Sequence, residues 1–558
     1  MAAADDALSQ LNPLALVRSF AANVPTSLSK SPILGIVGVI LGAGIVTLTS
    51  RMLTMGMEDL KGHLGISYDA GAWIGTSFEM ALIFIGPLTV YLGGLLGARR
   101  VLFYAAGIFT ACCVVLPFIH SYRLLLAVLV LAGLTSGTFY PLTLTFALRN
   151  IAIRYLPYTI ALYATCVDFA VNVAPTLYGW YRDHLSWRWM FWNSAWLTPI
   201  MIAFIYWGIP HAPPPKRSGE APSFAGFFYF SAGLALLEAA FDQGERLDWW
   251  RSGVFIALFA GGVFFLLCGF GRRLVGPNPL VAVQFLRRRN TLLLGFGLFF
   301  FRFTLLGTIL LVPQSLAIHG FEAVQIGPAL IWTALPQLPI AFAIAFLLAR
   351  NADPRLLLAT GCMLIAFACC LNAGLTSAWN APDYYRTELL MGMGQSFAFL
   401  GIVSAIILQG LFAGGMVKPQ WILTFSAYFH VVRLFGGNMG GVFMGHFLAQ
   451  REKFHSNLLG LHVQRGNWIT DGNLWHMTAA LFPKSPGVAA AAGRAAALMA
   501  GRVRLQAYTL TFIDGFYLVA WMCVGLMLIG ALLKESPMKF GHVSALTQTA
   551  ATPEEART

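Results

Sequence analysis

The sequence predicts an all-α polytopic membrane protein with about fourteen transmembrane helices. Hydrophobic residues make up 58% of its 558 residues and charged residues only 11%, whereas about a quarter of the residues in a soluble domain carry charge. Windows of about twenty residues with few charges, long enough to cross a bilayer as a helix, recur from end to end. Because lipid offers no hydrogen-bond partners to an open backbone, each window is predicted to be helical.

Fourteen such windows follow one another, and an even number places both termini on the same side of the membrane. The windows cover residues 33–55, 72–96, 101–120, 123–147, 157–181, 189–209, 224–243, 253–271, 292–315, 326–349, 355–375, 387–411, 421–448 and 507–533. The long interval between the last two, residues 449–506, is predicted to be a loop.

Lysine and arginine in the short connections set the orientation. One set of alternate connections holds fourteen of these residues, among them Arg99, Arg100 and Arg289, and the other set holds seven. The richer set is predicted to be cytoplasmic, together with both termini, in a multi-pass protein of the inner (plasma) membrane. The net charge of +13 arises from these clusters, and no nucleic acid partner is predicted.

Motifs for metal, cofactor and catalytic chemistry are missing from the sequence. The eight cysteines lie mostly inside apolar windows and lack metal-ligand spacing. There is no nucleophile elbow, no His-Glu metal motif and no phosphate loop. We therefore expect no metal site, no cofactor and no enzyme activity.

One polar stretch interrupts the apolar pattern of the helix predicted at 157–181. Five polar or small residues share a face of this helix because they recur every three or four positions: Asp168, Asn172, Pro175, Gly179 and Arg182. Small residues let neighbouring membrane helices approach closely, and a buried carboxylate needs a partner or a function. Pro175 and Gly179 are open to two interpretations, a packing kink or a gating element.

The segment APTLYGWYRDHLSWRWMFWN, residues 174–193, resembles the end of span five and the start of span six in a known family. That family is the fourteen-span drug:proton antiporters of the major facilitator superfamily, the EmrB and QacA type. The matching positions are Pro175, Gly179, Asp183, Ser186, Trp187, Arg188, Trp189, Phe191 and Asn193. LEAAFDQGERLDWW, residues 237–250, is similar to the family's signature for two inserted helices. The resemblance implies the major facilitator fold with 14 transmembrane helices in a 6 + 2 + 6 order.

The resemblance, together with a proline-rich basic linker, divides the chain into seven segments. These are a cytoplasmic N-terminal segment (1–32), a first six-helix bundle (33–209), a cytoplasmic linker (210–223), two inserted helices (224–271), a cytoplasmic loop (272–291), a second six-helix bundle with a long periplasmic loop at 449–506 (292–533) and a cytoplasmic tail (534–558).

Motifs that gate or pack helices in the family are matched in part. The residues that resemble them are Gly97, Arg99, Arg100, Gly133, Gly137, Pro141, Pro175, Gly179, Gly437 and Gly441. Charged residues of the family are replaced at Gly42, Gly94 and Leu129. For the two glycines of span four, close helix packing and a functional role are equally open, and glycines four apart in span thirteen are typical of close helix contact.

Charged residues inside the apolar windows are candidate site residues, because a charge at the centre of a membrane helix costs roughly 2.5 to 3.5 kcal/mol. Asp168 and Glu79 are proton-coupling candidates, with a structural ion pair as the alternative. The candidates for lining a substrate cavity are Arg302, Asn172, His430 and Arg433. Arg302 either pairs with a carboxylate or holds an anionic substrate, and Arg433 fits a structural role. His430 also fits a satisfied core histidine, and Asn172 is placed to hydrogen-bond Asp168.

The resemblance implies a proton-coupled secondary transporter that exports small lipophilic or amphipathic compounds by alternating access, as in multidrug efflux. The implied partners are a small-molecule substrate, protons, the lipid bilayer and, as in Gram-negative members, a periplasmic adaptor and an outer-membrane channel. The replacements at Gly42, Gly94 and Leu129 keep an alternative open, a non-transporting membrane scaffold or sensor on the same fold.

Overall fold

The computed structural model describes residues 32–150, 155–208, 224–275, 289–412, 419–536 and 539–540. Regular secondary structure within these ranges is helical, with no strand. The predicted linker at 210–223, nearly all of the N-terminal segment, and most of the loop at 272–291 and of the tail lie outside the described residues.

The helices are labelled α1 to α19 in chain order. They are α1 Pro32–Met55, α2 Met57–Leu64, α3 Tyr68–Leu92, α4 Ala98–Val115, α5 Tyr122–Ser136, α6 Phe139–Asn150, α7 Leu156–His184, α8 Trp189–Gly208, α9 Phe224–Gly244, α10 Gly253–Val275, α11 Arg289–Thr304, α12 Val312–Ile318, α13 Ala323–Ala334, α14 Gln337–Ala349, α15 Pro354–Asn372, α16 Ala381–Phe412, α17 Pro419–Gly460, α18 Trp468–Leu481 and α19 Val488–Leu532. Single π-helical turns at Gly93–Gly97 and Gly307–Leu311 join α3 to α4 and precede α12.

The structure confirms an all-α polytopic membrane protein. Helix occupies each of the predicted windows, and 11 helical segments within the described residues are long and apolar enough to cross a membrane. One of these segments, Tyr68–Phe118, contains two predicted windows in continuous helix. The span count of fourteen stays a prediction.

Proline and glycine divide several of the predicted spans. The fourth window is split at Gly137 and Thr138, between α5 and α6. Pro141 follows this break at the third position of α6, where its missing N–H cannot bond the carbonyl of Gly137. The tenth window is split in the same way before Pro336, which separates α13 from α14.

The two predicted bundles meet along α7, which packs on α13, α14 and α16. A second line of contact joins α3 and α6 of the first bundle to α17 of the second. The inserted helices α9 and α10 pair with each other, and α9 lies against both α3 and α17. The insertion therefore touches both bundles where they meet.

Residues 449–506, predicted to be a loop, are largely helical. Helix α17 continues to Gly460, α18 follows, and α19 begins at Val488. The alanine-rich start of α19 has high intrinsic helix propensity, which explains why the helix extends beyond the apolar window. Arg451 and His455 on α17 each approach Asp514 of α19 to 2.6 Å, so the extension is fastened by charged contacts.

Candidate functional site

Asp168 lies near the middle of the 29-residue helix α7 and is only 2% exposed. Neither oxygen of its carboxylate has a hydrogen-bond partner in the described residues. The charged groups that act on it are the guanidinium groups of Arg302 on α11 and Arg433 on α17, both in the second bundle. The first bundle thus presents an unbonded carboxylate to two arginines of the second.

Arg302 points its guanidinium group into the protein, against the backbone of α17. Its Nε and Nη1 atoms are buried and have no acceptor in the described part of the chain. A Cβ atom added at Gly437 would lie 3.2 Å from Nη2 and 3.3 Å from Nε. Gly437 therefore makes room for the arginine head group rather than for a neighbouring helix backbone.

Arg433, Tyr140 and His430 form a stack beside Asp168. The Arg433 guanidinium lies 4.5 Å from the centre of the Tyr140 ring, and the His430 ring lies 5.0 Å from the same ring at an angle of 21°. Both ring nitrogens of His430, and Nε of Arg433, have no hydrogen-bond partner among the described residues. No described residue therefore satisfies His430 as a core histidine, and its place in a substrate cavity stays a prediction.

A narrow apolar pocket, with a free volume of only about 10 Å³, begins at the Tyr140 ring and continues between the two bundles. Its walls come from α6, α7, α16 and α17 and include Leu144, Tyr163, Phe425 and Phe429. Unbonded N–H groups at one end of an apolar wall are the arrangement that orients an amphipathic ligand.

Asn172 does not bond Asp168, contrary to the sequence prediction. Its Nδ2 atom donates to Oε1 of Gln395 on α16 at 2.9 Å, and Nε2 of Gln395 donates to the Thr308 hydroxyl at 3.1 Å. The helix face was predicted correctly, but Asn172 connects the two bundles instead of supporting the carboxylate one turn away.

Glu388 is a second buried carboxylate, and the sequence analysis missed it. It is 0% exposed and accepts a hydrogen bond from Thr333 at 2.6 Å, while its other oxygen has no partner in the described chain. Glu388 was overlooked because it stands at the second position of the predicted window 387–411, where a charge falls at the membrane boundary. Helix α16 begins at Ala381 instead, which moves Glu388 about two turns into the helix.

Glu79 lies in a separate acidic cluster that includes the insertion. It is half-buried and accepts a hydrogen bond from Ser50. On α9, Glu238 is 1% exposed and accepts from Asn438 of α17, and Asp242 accepts from the buried Thr76. Sequence analysis missed Glu238, although it stands inside the signature at 237–250.

Charged and small residues close one end of the interface between the bundles, which we call the Arg182 end. Arg182 lies 3.3 Å from Glu322 of the second bundle and 3.6 Å from Asp59 of the first, and Asp59 accepts a hydrogen bond from Tyr178. Arg51 donates to the carbonyl of Ile309 at 2.5 Å. Arg51 was not among the predicted site residues, although a charge inside the first predicted window could have identified it.

Helix α7 packs tightly on α13 at the Arg182 end. The Thr176 hydroxyl donates to the carbonyl of Gly327 at 2.7 Å, and a Cβ at Gly179 would lie 3.0 Å from Val324 Cα. Helix α7 continues unbroken through Pro175. These contacts favour a packing role for Gly179 in the contact between the bundles.

The predicted gate motif lies at the opposite end, which we call the Arg99 end. Gly97 has φ +88°, a left-handed conformation that favours glycine, and it precedes α4. Arg99 donates to the carbonyl of Tyr206 at 2.9 Å and packs on the rings of Tyr206 and Phe103, whereas Arg100 is exposed. These contacts of Arg99 are within the first bundle.

The remaining glycines divide into packed and open positions. A Cβ at Gly133 would lie 2.6 Å from the carbonyl of Phe78, and a Cβ at Gly137 would lie 2.4 Å from Ile85 of α3. Both therefore allow α5 to approach α3, as close packing predicts. A Cβ at Gly441 meets nothing within 4 Å, so the predicted close contact is wrong at that position.

We expect Gly437→Val to displace the Arg302 guanidinium and to lower the free energy of unfolding by about 1 to 3 kcal/mol, because it overpacks the space that the head group fills. Gly441→Val, on the same helix with open space around it, is the matched control and should be as stable as the parent. Thermal unfolding of the purified variants measures the difference. Equal stability of the two variants would contradict the role given to Gly437.

Comparison with known proteins agrees with this architecture. The model of the Major Facilitator Superfamily matches residues 39–441. "Multidrug export protein EmrB" of Haemophilus influenzae is 23% identical over 441 residues, 76% of this chain and 82% of that protein. "Fatty acid resistance protein FarB" of Neisseria gonorrhoeae is 22% identical over 435 residues, 75% of this chain and 80% of that protein. The solved proton:xylose symporter XylE shares the fold at a TM-score of 0.54 and 12% identity, covering 92% of this chain and 98% of that one.

Proposed function

The chain belongs to the Major Facilitator Superfamily, and from that premise we propose that it is a proton-coupled secondary transporter that exports small lipophilic or amphipathic compounds by alternating access. The export direction is supported by relatives whose names are multidrug export and fatty acid resistance proteins. The observation that carries the proposal is Asp168, a buried carboxylate with two unbonded oxygens between two bundles that must move relative to each other.

Asp168 couples protons to movement through the charges of the opposite bundle. The ionised carboxylate attracts Arg302 and Arg433, whereas a bound proton removes that attraction. Proton binding therefore changes the free energy of the contact between the bundles, which is the condition for shifting a two-state equilibrium. Glu79 is the reserve candidate, since its carboxylate lies beside α17 and also interacts with Arg433.

The substrate site is formed by the two arginines and the apolar pocket. The unbonded N–H groups of Arg302 and Arg433 are donors and cannot accept hydrogen bonds, so they select a head group with acceptor atoms. The pocket holds about 10 Å³ in the described state, and Tyr140 and Phe429 would provide walls for a lipophilic body once the bundles move apart. We infer that substrates are amphipathic compounds with a hydrogen-bond-accepting head group.

The Arg182 end faces the periplasm and the Arg99 end faces the cytoplasm in this proposal, which follows the arginine distribution. The contacts of Arg182 and Gly179 then keep the periplasmic side closed until the bundles move. A periplasmic adaptor and an outer-membrane channel are proposed as partners by analogy with Gram-negative members of the family.

We expect a cysteine at position 289 to be protected from an impermeant maleimide in intact cells, and a cysteine at position 475 to react. Arg289 begins α11 at the edge of the predicted cytoplasmic loop, and Trp475 is 67% exposed on α18 in the predicted periplasmic loop. Labelling in a background without the eight native cysteines gives the result. The reverse pattern would invert the proposed orientation and place both termini outside.

Everted vesicles test the transport function itself. Respiration acidifies the lumen of these vesicles. When a substrate is added, a proton-driven exporter moves it into the lumen and lets protons out, and a pH-sensitive dye reports the rise in lumenal pH. We expect dye recovery with amphipathic compounds that carry acceptor head groups, and none with vesicles lacking the protein. Ligand binding without any proton movement across such a panel would favour the non-transporting scaffold or sensor.

A further inference from the structure

Helix α9 of the insertion is paired with α3 of the first bundle along its whole length. At one end the ring centres of Phe224 and Tyr91 lie 5.4 Å apart, and just beyond the other end Arg246 lies 3.2 Å from Asp69. The two contacts are separated by the same number of residues on both helices (224 to 246 and 69 to 91), so the helices run antiparallel in one register. A movement of the first bundle therefore carries α9 with it.

The contact of α9 with the second bundle is a short strip of side chains on α17. Three pairs form this strip: Glu238 with Asn438, Phe241 with Phe435, and Glu245 with His446. The His446 and Glu245 side chains are 42% and 44% exposed, and exposed ion pairs contribute little to stability. Glu238 is only 1% exposed, so its bond to Asn438 is the polar contact that holds α9 to α17 away from water.

Glu238 is a buried carboxylate without a cation. It forms no ion pair within 4 Å in the described residues. The charged groups that face it are acids as well, Asp242 one turn further along α9 and Glu79 of α3. Glu79 follows Thr76 by one turn, and Thr76 is hydrogen-bonded to Asp242. A buried ionised carboxylate beside other acids is costly, so this site favours binding of a proton.

The arginines of the surrounding helices serve other groups. Arg246, two turns along from Glu238, is paired with Asp69. Arg433 of α17 lies over the Tyr140 ring, and α10 has no charged residue before Arg272 in its last turn. The described residues thus leave Glu238 with a single neutral donor, the amide on α17, which bonds Oε1. The other oxygen, Oε2, is buried without a partner.

A proton on Glu238 weakens the contact with α17. In the ionised state Asn438 donates to a charged oxygen, and charge-assisted hydrogen bonds are roughly twice as strong as neutral ones. The free oxygen Oε2 can take the proton, and Oε1 then becomes a neutral acceptor. The bond between Thr76 and Asp242 does not involve Glu238, so α9 stays on α3 in either state.

We propose that Glu238 is a proton-binding site in the insertion, and that its proton releases α9 from α17 so that the insertion moves with the first bundle. The proton binds the carboxylate from solvent and returns to solvent, with no other covalent bond made or broken. This role of the inserted helices goes beyond the proposed function, on which it rests only for the movement of the bundles.

Infrared difference spectroscopy on the purified full-length protein tests proton binding directly, without any substrate. Across a pH titration in nanodiscs, we expect a carboxylic acid carbonyl band that grows as the pH falls and that Glu238→Gln removes. Glu245→Gln is the matched control, because it neutralises an exposed carboxylate at the end of the same helix, and it should retain the band. A band unchanged by Glu238→Gln would overturn the proposal. A Glu238 band present at every pH would also overturn it, since the residue would then be a permanently neutral acid.

Disulfide cross-linking tests the release of α9. In a background without the native cysteines, Phe241→Cys with Phe435→Cys joins α9 to α17, and Phe84→Cys with Phe228→Cys joins α3 to α9, where the ring centres are 5.8 Å apart. The ratio of the two cross-linking rates cancels the pH dependence of thiol chemistry. We expect this ratio to fall roughly two- to tenfold when Glu238 is protonated, and to be low at every pH in Glu238→Gln.

Two further variants isolate the bond to Asn438. His446→Gln provides the background, because protonation of His446 would strengthen its pair with Glu245 and oppose the release. Asn438→Leu should keep the infrared band and abolish the pH dependence of the cross-linking ratio. Persistence of the pH dependence in Asn438→Leu would refute the role of this bond. Both readouts are independent of transport, so a failure of the export proposal would leave them interpretable.

Discussion

Asp168→Asn is expected to reduce proton-driven export to the level of vesicles without the protein. The amide keeps the size of the side chain but cannot bind or release a proton, and it cannot attract Arg302 and Arg433 as an ionised carboxylate does. Because Asp168 is unbonded, the substitution breaks no hydrogen bond in the described residues. We therefore expect protein level and ligand binding close to those of the parent.

Export in everted vesicles and ligand binding by the purified protein measure the two parts of this expectation. Glu79→Gln is the matched control, since it also neutralises one carboxylate within the apolar region, in the cluster beside α9. Gradient-driven export by Asp168→Asn, together with an inactive Glu79→Gln, would transfer the coupling role to Glu79. A loss of ligand binding in Asp168→Asn would instead make Asp168 a direct substrate contact.

The position of Asp168 could be predicted from the sequence because helix periodicity and apolar length are local properties. Because residue 168 stands in the middle of an uninterrupted apolar span, the span places this residue deep within the membrane. The same reasoning identified Arg302 and Arg433 as charges inside helices. Their approach to Asp168 could not be predicted, because it depends on how three helices rotate against one another.

The sequence predictions were wrong where a residue's role depended on the exact start of a helix or on a partner from a distant part of the chain. Glu388 was missed because the start of α16 differs by six residues from the predicted window, and helix boundaries are the least certain part of a periodicity argument. Asn172 was given a partner on its own helix because only spacing within a helix can be read from sequence. Gly437 was predicted to contact a helix, whereas a side chain of α11 occupies that space.

Arg302→Met is expected to weaken substrate binding about 10- to 100-fold, because a hydrogen bond to a charged group contributes roughly 1.5 to 3 kcal/mol. Methionine keeps the apolar stem but removes the donors. Arg302→Lys should lie between parent and Met, since an ammonium group keeps the charge without the planar fork of the guanidinium. Arg251→Met is the control, because Arg251 is 84% exposed in a surface pair with Asp248.

The double variant Asp168→Asn/Arg302→Met separates substrate contact from charge balance. If Arg302 stabilises the bundles chiefly through Asp168, the effects of the two substitutions on the free energy of unfolding should be non-additive, with an interaction energy of about 0.5 to 3 kcal/mol. If Arg302 chiefly binds the substrate head group, the two changes in the free energy of unfolding should add. The loss of substrate binding in the double variant should then match that of Arg302→Met alone. Substrate binding unchanged in Arg302→Met would exclude the arginine from the site.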